Sequence, residues 1–350
     1  MELTKCKLGE LITQRREKND GSDLPICGVS KDGLIPPKQK DADTSIYNVF
    51  YRDDFIFNPA RMELNSIAIN DMYDRAICSS LYEVFYVHRT DLLLPHYLKL
   101  IIRQKWFTRY CEFLGQGSAR EYCRFGNISE IEIEFPPIKE QQKIVDYNTA
   151  IENRIALKQK INDNLDDTAQ TLYQKYFESN SDKSSWKQGT VGDVLQLQRG
   201  HDLPRTEMTG GKYPVAGSTG TIGYHDEFTA EAPVIVMGRS GNIGNPRLYL
   251  CNCWTHNTSL YVKQIYEAEP LWVFYLLKNL NYDGFVGGSA VPTLNRNDVH
   301  AYGIAIPPLE LQKSFSQKVM SLIYCKEENL SEIEKLQELQ KIILTTMSSR

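Results

Sequence analysis

The chain has 350 residues, of which 41 % are hydrophobic and 24 % charged, with a formal net charge of −4. That balance excludes a disordered chain and a membrane-embedded one, the acidic sign argues against indiscriminate nucleic-acid binding, and the length exceeds what one core usually accommodates. Two globular units with connecting helices are therefore expected, in a cytoplasmic protein with no membrane partner.

In chain order, the charged N-terminus MELTKCKLGELITQRREK lacks the apolar stretch of a secretion signal, and the apolar run 92–102 is broken by Pro95, His96 and Lys99. YNVFY, FIFN and SLYEVFYV read as strands in the first part, VIVMG and SLYVK in the second, and the segments after Pro95 and Pro270 as helices with Pro in the opening turn. A long helix is expected over 140–178. Ile144, Tyr147, Ile151, Ile155, Ile161, Leu165, Ala169, Leu172 and Tyr176 recur there at three- and four-residue steps, with no Gly or Pro inside. Its other faces are polar, so it has one narrow seam and needs a partner. Residues 309–347 supply one, with Phe315, Val319, Leu322, Leu330, Ile333, Leu336, Ile343 and Met347 in the same rhythm. FESNSDKSSW, at 177–186, reads as a polar linker.

The chain is written twice. KLGELI at Lys7 returns as TVGDVL at Thr190, PICGVSKDG at Pro25 as PVAGSTGTIG at Pro214, and DDFIFNPAR as APVIVMGRS. SSLYEV returns as TSLYVK, PHYLKLII as PLWVFYLL, GSAREYCRFGNI as GSAVPTLNRNDV, and FPPIKEQQKI as IPPLELQKSF. The order is preserved while the offset drifts from 189 to 171, as loop insertions would make it. The expected division is a globular domain over 1–138, a central helix over 139–180, a second globular domain over 186–306 and a C-terminal helix over 307–350.

The LGEL/VGDV openings, the DDFIFNPARMELNSIAI and VIVMGRSGNIG loops, the SSLY/TSLY strands and the Pro-Pro-hydrophobic-x-x-Gln junctions at 136–141 and 307–312 resemble the specificity subunit of Type I restriction-modification systems. The resemblance spans essentially the whole chain. It implies an α+β fold: two pseudo-twofold-related, β-rich target recognition domains separated by two long antiparallel coiled-coil helices. Each domain is then expected to read one half of a bipartite, asymmetric site on double-stranded DNA, with the helices as spacer. The implied partners are two methyltransferase subunits and restriction/translocase subunits. No cofactor is implied in this chain; S-adenosylmethionine, ATP and magnesium are expected on the partners.

Groove readers need Arg, Lys, Asn, Gln, Ser or Thr on loops where Gly lets backbone approach phosphates. The candidate DNA contacts are Lys31, Arg61, Asn65, Arg120, Tyr122 and Arg124 in the first domain, and Thr219, Arg239, Ser240, Asn242, Arg247 and Arg296 in the second. The plainer reading is that these glycines only build turns and the arginines pair with nearby acids. Eight cysteines without a CxxC pair read as reduced thiols, and Cys251, Cys253 and His256 match no common zinc spacing. No GKS or GKT phosphate loop is present, and the six histidines have no paired nucleophile, so no catalytic residue is expected. Two other readings stay open: a coiled-coil adaptor that binds only protein, and a DNA-modifying enzyme with an unrecognised site.

Overall fold

The computed structural model describes residues 3–37, 43–115, 123–282, 286–287 and 293–348. It divides into two compact units, residues 1–158 with 331–350, and residues 159–330. Each unit takes a share of both long helices. The helical segments expected as separate domains therefore pack into the cores of the globular parts, because a helix with a narrow apolar seam must bury that seam somewhere.

In the first unit β1 (Thr4–Lys7), β2 (Ile12–Arg15), β3 (Ile26–Ser30), β4 (Gly33–Ile35), β5 (Asn48–Tyr51), β6 (Phe55–Phe57), β7 (Ile67–Ile69), β8 (Arg75–Cys78) and β9 (Glu83–Val87) precede α1 (Pro95–Ile102), α2 (Lys105–Gly115), α3 (Phe125–Ser129) and β10 (Glu132–Phe135). One sheet runs β2-β9-β6-β7 and a second β4-β3-β8-β5, while β1 pairs with β10. The core between sheet and helices holds Phe55, Phe57, Phe85, Leu98 and Phe107, all fully buried. Arg15 joins the two sheets: its Nε donates to buried Asp54 at 2.6 Å, and its guanidinium lies 4.7 and 4.6 Å from the ring centres of Tyr51 and Tyr86.

α4 (Ile138–Tyr173) continues through one π turn to Glu178. The second unit follows with β11 (Lys187–Thr190), β12 (Leu195–Arg199), β13 (Tyr213–Gly217), β14 (Gly220–His225), β15 (Val234–Gly238), β16 (Gly244–Tyr249), β17 (Trp254–Thr255) and β18 (Ser259–Ile265). Then come α5 (Pro270–Lys278), β19 (Val286–Gly287), β20 (Thr293–Leu294), α6 (Arg296–His300), β21 (Gly303–Ile306) and α7 (Leu309–Ser348). Its main sheet, β12-β18-β15-β16, has the strand order of the first unit's β2-β9-β6-β7, and β11 pairs with β21 as β1 does with β10.

The repeat extends to single hydrogen bonds. Gln141 and Gln312 are 0 % and 1 % exposed. Gln141 Nε2 donates to Pro136 O at 2.9 Å while its Oε1 accepts from Leu94 N–H at 2.9 Å. Gln312 repeats this with Pro307 O at 2.8 Å and Glu269 N–H at 2.9 Å. Each glutamine thus satisfies a proline carbonyl that a Pro-initiated helix leaves over and the amide preceding Pro95 or Pro270. This is the physical content of the Pro-Pro-hydrophobic-x-x-Gln junction. The openings also match: Leu8 N–H donates to Ile131 O and Val191 N–H to Tyr302 O. Gly9 and Gly192 allow that approach, since a Cβ would lie 2.9 Å from Ser129 Cβ or 3.2 Å from His300 O.

Within each unit the two long helices pair antiparallel. In the first, Glu332 binds Arg154 and Lys158, the latter at 2.8 Å, and Gln340 donates to Asn148 at 3.1 Å. In the second, Asn329 donates to Asn162 at 2.8 Å and Lys326 pairs with Asp166 at 2.5 Å. The seam departs from the apolar list in two places, Tyr147 and Leu330, which are 67 % and 40 % exposed, while Asn148, Asn162 and Asn329 are buried instead. A buried Asn pair across two helices fixes register because any slip strands both amides. The stretch 177–186 is likewise more than a polar linker: Phe177 and Trp186 at its ends are buried in the second core.

Candidate nucleic-acid interface

In the second unit three loops converge at one end of the main sheet. The β13–β14 turn carries Ser218 and Thr219, the β15–β16 turn carries Arg239 to Ile243, and β20 leads into α6. Asn242 Nδ2 donates to Ser218 O at 3.2 Å, joining the first two turns. Leu294 N–H donates to Arg239 O at 2.8 Å, and Ser240 bridges Thr293, joining the second to the third. Thr258 locks the base: its Oγ1 accepts from Ser218 N–H at 3.3 Å and its carbonyl from Arg239 N–H at 3.0 Å. Gly238 is required here, because a Cβ would sit 1.5 Å from Asn242 O.

Thr219 is exposed on the β13–β14 turn, Arg247 on β16 and Arg296 at the start of α6, and Arg239 and Ser240 are half-buried. The Arg247 guanidinium passes over Gly220, with Nη1 3.0 Å from where a Cβ would stand. Arg296 opens α6, directly after Asn295, whose side chain caps that helix by accepting from Asn297 N–H at 3.0 Å. Of the six residues expected in this unit, Thr219, Arg239, Ser240 and Asn242 fall on the braced loops, with Arg247 on the adjoining strand β16 and Arg296 at the start of α6. Asn242 spends its amide on the brace.

The first unit is assembled less tightly. Lys31 is exposed at the β3–β4 turn, and Arg61 is exposed on the short helix Pro59–Leu64. Asn65 requires a correction as a contact residue. It is 5 % exposed, in the left-handed conformation at φ 49°, and its Nδ2 donates to Ile102 O at 2.7 Å and Thr108 Oγ1 at 3.2 Å. It ends the short helix and ties it to α1 and α2, as an Asn at a C-cap does. Arg124 pairs with Glu83 at 3.2 Å, and Glu83 also accepts Phe125 N–H at 2.6 Å, so this arginine is spent partly on holding α3 against β9. Arg120 and Tyr122 lie outside the described residues. Cys123 N–H donates to Pro59 O at 3.2 Å, which brings Arg124 and the loop of Arg61 to one side of the unit.

Nothing local distinguishes Ser218 and Thr258 from other hydroxyl residues; only tertiary hydrogen bonding reveals them as the frame of the loop set. Arg103 is spent on the fold: its Nη2 donates to Ile67 O at 3.0 Å, and burial lowers its pKa while Asp32, beside Lys31, opposes that. Cys253 is buried and its thiol is pushed up to about 12, whereas Cys251 is exposed; among the described residues no group of three His, Cys, Asp or Glu could hold a metal ion. Among them, too, no helix is long and apolar enough to cross a membrane.

Fold and loops together define a class of protein: two repeated α+β units, each presenting polar, Gly-rich loops and each completed by the same pair of long helices. The family described as Type I restriction modification DNA specificity domain matches residues 6–167 and 183–342, and the chain belongs to it. It is 25 % identical over 126 residues to the Type I restriction enzyme HindI specificity subunit of Haemophilus influenzae, a match covering 35 % of this chain and 27 % of that protein. To the MjaIX specificity subunit of Methanocaldococcus jannaschii it is 21 % identical over 296 residues, covering 73 % and 68 %. In fold it is similar to the crystal structure of the Type I restriction-modification S subunit from M. genitalium, with a TM-score of 0.66 and 16 % identity over 99 % of this chain and 96 % of that one.

Proposed function

We propose that the chain is the DNA-recognition and scaffold subunit of a Type I restriction-modification complex, and is itself non-catalytic. Each unit reads one half of a bipartite asymmetric site, and the long helices set the spacer and dock methyltransferase subunits. S-adenosylmethionine, ATP and magnesium act on partner subunits in the cytoplasm. The observation that carries this reading is the braced loop set of the second unit, which holds Arg239 and Ser240 directly, carries Thr219 on its first turn, and has the Arg247 guanidinium beside Gly220 and Arg296 at the start of the helix after β20. Preorganised loops bearing Arg and hydroxyl groups suit base-edge readout, since little entropy is lost on binding. The two units carry different residues on these loops, so the two half-sites are expected to differ.

The test is co-expression with the cognate methyltransferase subunit followed by methylome sequencing. N6-methyladenine in a split motif, of which exchange of residues 1–135 alters one half only, is the expected result. Methylation of an unchanged motif after that exchange, or methylation without this chain, sinks the proposal and favours the protein-only adaptor.

A further inference from the structure

The turn that joins β17 to β18 repeats the hydrogen bonds of the turn between β8 and β9. His256 O accepts Ser259 N–H at 3.0 Å, as Ser79 O accepts Tyr82 N–H at 3.0 Å. The side chains also do the same work: His256 Nδ1 accepts Thr258 N–H at 3.4 Å, where Ser79 Oγ accepts Leu81 N–H at 3.3 Å. Hydrogen bonding thus matches His256 to Ser79, although the SSLY/TSLY alignment matches Thr258 to it. Strand pairing agrees: Tyr261 lies opposite Val236 as Val84 lies opposite Ile56, each pair in the smaller core of its unit. A serine is enough to hold such a turn, so bracing does not account for the imidazole.

The ring has a second nitrogen. Because Nδ1 accepts a backbone amide, the neutral ring carries its proton on Nε2, and the Thr258 hydroxyl, 3.0 Å from Nδ1, shares that acceptor. Among the described residues Nε2–H has no protein acceptor, and Nε2 is not one of the polar atoms sealed from solvent. The ring is also held still. His256 N–H donates to Ala216 O at 2.9 Å, its carbonyl accepts from Ser259 Oγ at 2.6 Å, and a Cβ on Gly200 would stand 2.1 Å from that carbonyl oxygen. Thr258, which grips the ring, is the residue that joins the turns of Thr219 and Arg239 through Ser218 N–H and Arg239 N–H. Exposed Arg199 joins the same turn, its Nε donating to Asn257 O at 3.5 Å. A fixed, unspent donor thus stands beside the braced loops. We infer that His256 is a specificity-determining residue of the second unit, its Nε2–H donating to a base-edge acceptor of the half-site, a purine N7, guanine O6 or thymine O4. The inference rests on the reading of this unit as a reader of DNA and adds to it a contact outside the Gly-rich loops.

The test is methylome sequencing of cells that carry the full chain, wild type or variant, with the cognate methyltransferase subunit. His256→Asn keeps an acceptor for the Thr258 amide, since Asn bonds the backbone two residues on, and removes the second nitrogen. His256→Gln returns an amide donor near the place of Nε2. His256→Asn is expected to lower discrimination at one base position of one half-site about two- to tenfold, the worth of a single hydrogen bond, and to leave the other half-site unchanged. His256→Ser, which installs the residue of the first unit's turn, should do the same, and His256→Gln should keep more of the preference. An unchanged motif in the Asn and Ser variants, or an equal loss at every position, overturns the inference while the DNA reading stands. So does a fall in the melting temperature of both purified variants, because the ring is then a structural part. A wild-type chain that yields no split motif overturns the DNA reading itself, and the inference with it.

Discussion

In the second unit Phe315, Phe177, Trp186 and Trp272 close the space between the helix pair and the globular part, while in the first Ile144, Leu3 and Tyr97 leave it open. Yet the buried glutamines, the Pro-initiated helices and the glycines under α3 and α6 are the same in both. The contrast separates two kinds of constraint. A buried backbone amide or carbonyl has few possible partners, so its solution persists between repeats. An apolar space can be filled by many side-chain combinations, so packing diverges.

The largest expected difference between the units is in core truncation. Phe315→Ala removes a fully buried ring from a filled cluster and should cost about 3–5 kcal/mol, whereas Ile144→Ala widens an existing cavity and should cost about 1–2 kcal/mol, both read from urea unfolding of the full chain. Similar losses would mean that the first cavity is closed in solution. The glutamines should behave alike: Gln141→Ala and Gln312→Ala should each cost about 2–3 kcal/mol, since each leaves buried polar groups unpaired. A loss at one junction only would break the equivalence of the repeats.

On the loops, Arg247→Ala or Arg296→Ala should lower DNA affinity and reduce the salt slope by about 1 if that arginine meets a phosphate, or relax one base position at a cost of about 1–3 kcal/mol if it meets a base edge. Asn65→Ala, by contrast, should lower stability and leave the salt slope unchanged, because its side chain is committed to Ile102 and Thr108.

The smallest effect separates the units by pH. His300 Nε2 accepts Leu197 N–H at 2.8 Å, and burial followed by the nearby Arg296 lowers its pKa. Its matching residue in the first unit is Ser129. The neutral ring is the one that folds, so its contribution is present above the unfolded value of about 6.5 and is lost as pH falls through the lower folded value. Urea midpoints between pH 7 and 5 should therefore fall less in His300→Gln than in the wild type. Equal slopes would remove His300 as the cause.

Much of this was legible in the residues. Strands at Asn48–Tyr51, Phe55–Phe57 and Val234–Gly238 follow from their apolar and β-branched runs, both long helices from unbroken periodicity, and the family from the paired junctions. Periodicity did not reveal that Tyr147 and Leu330 face solvent while Asn148, Asn162 and Asn329 are buried, since an amide enters a seam only where its partner arrives from the other helix.

The site divides along the same line. Gly-rich loops with Arg and Thr are visible in the sequence because those residue types carry the chemistry. That Asn65 braces two helices, that Glu83 engages Arg124, and that Ser218 and Thr258 frame the second set of loops depends on groups brought together from 24 to 43 positions apart. By itself the sequence determined the repeat, the element types, the paired junctions and the family, because these rest on local pattern and on resemblance. Which polar side chains are spent on structure and which remain for a partner was decided by the tertiary structure alone, because a hydrogen bond is settled by where its partner lies in space.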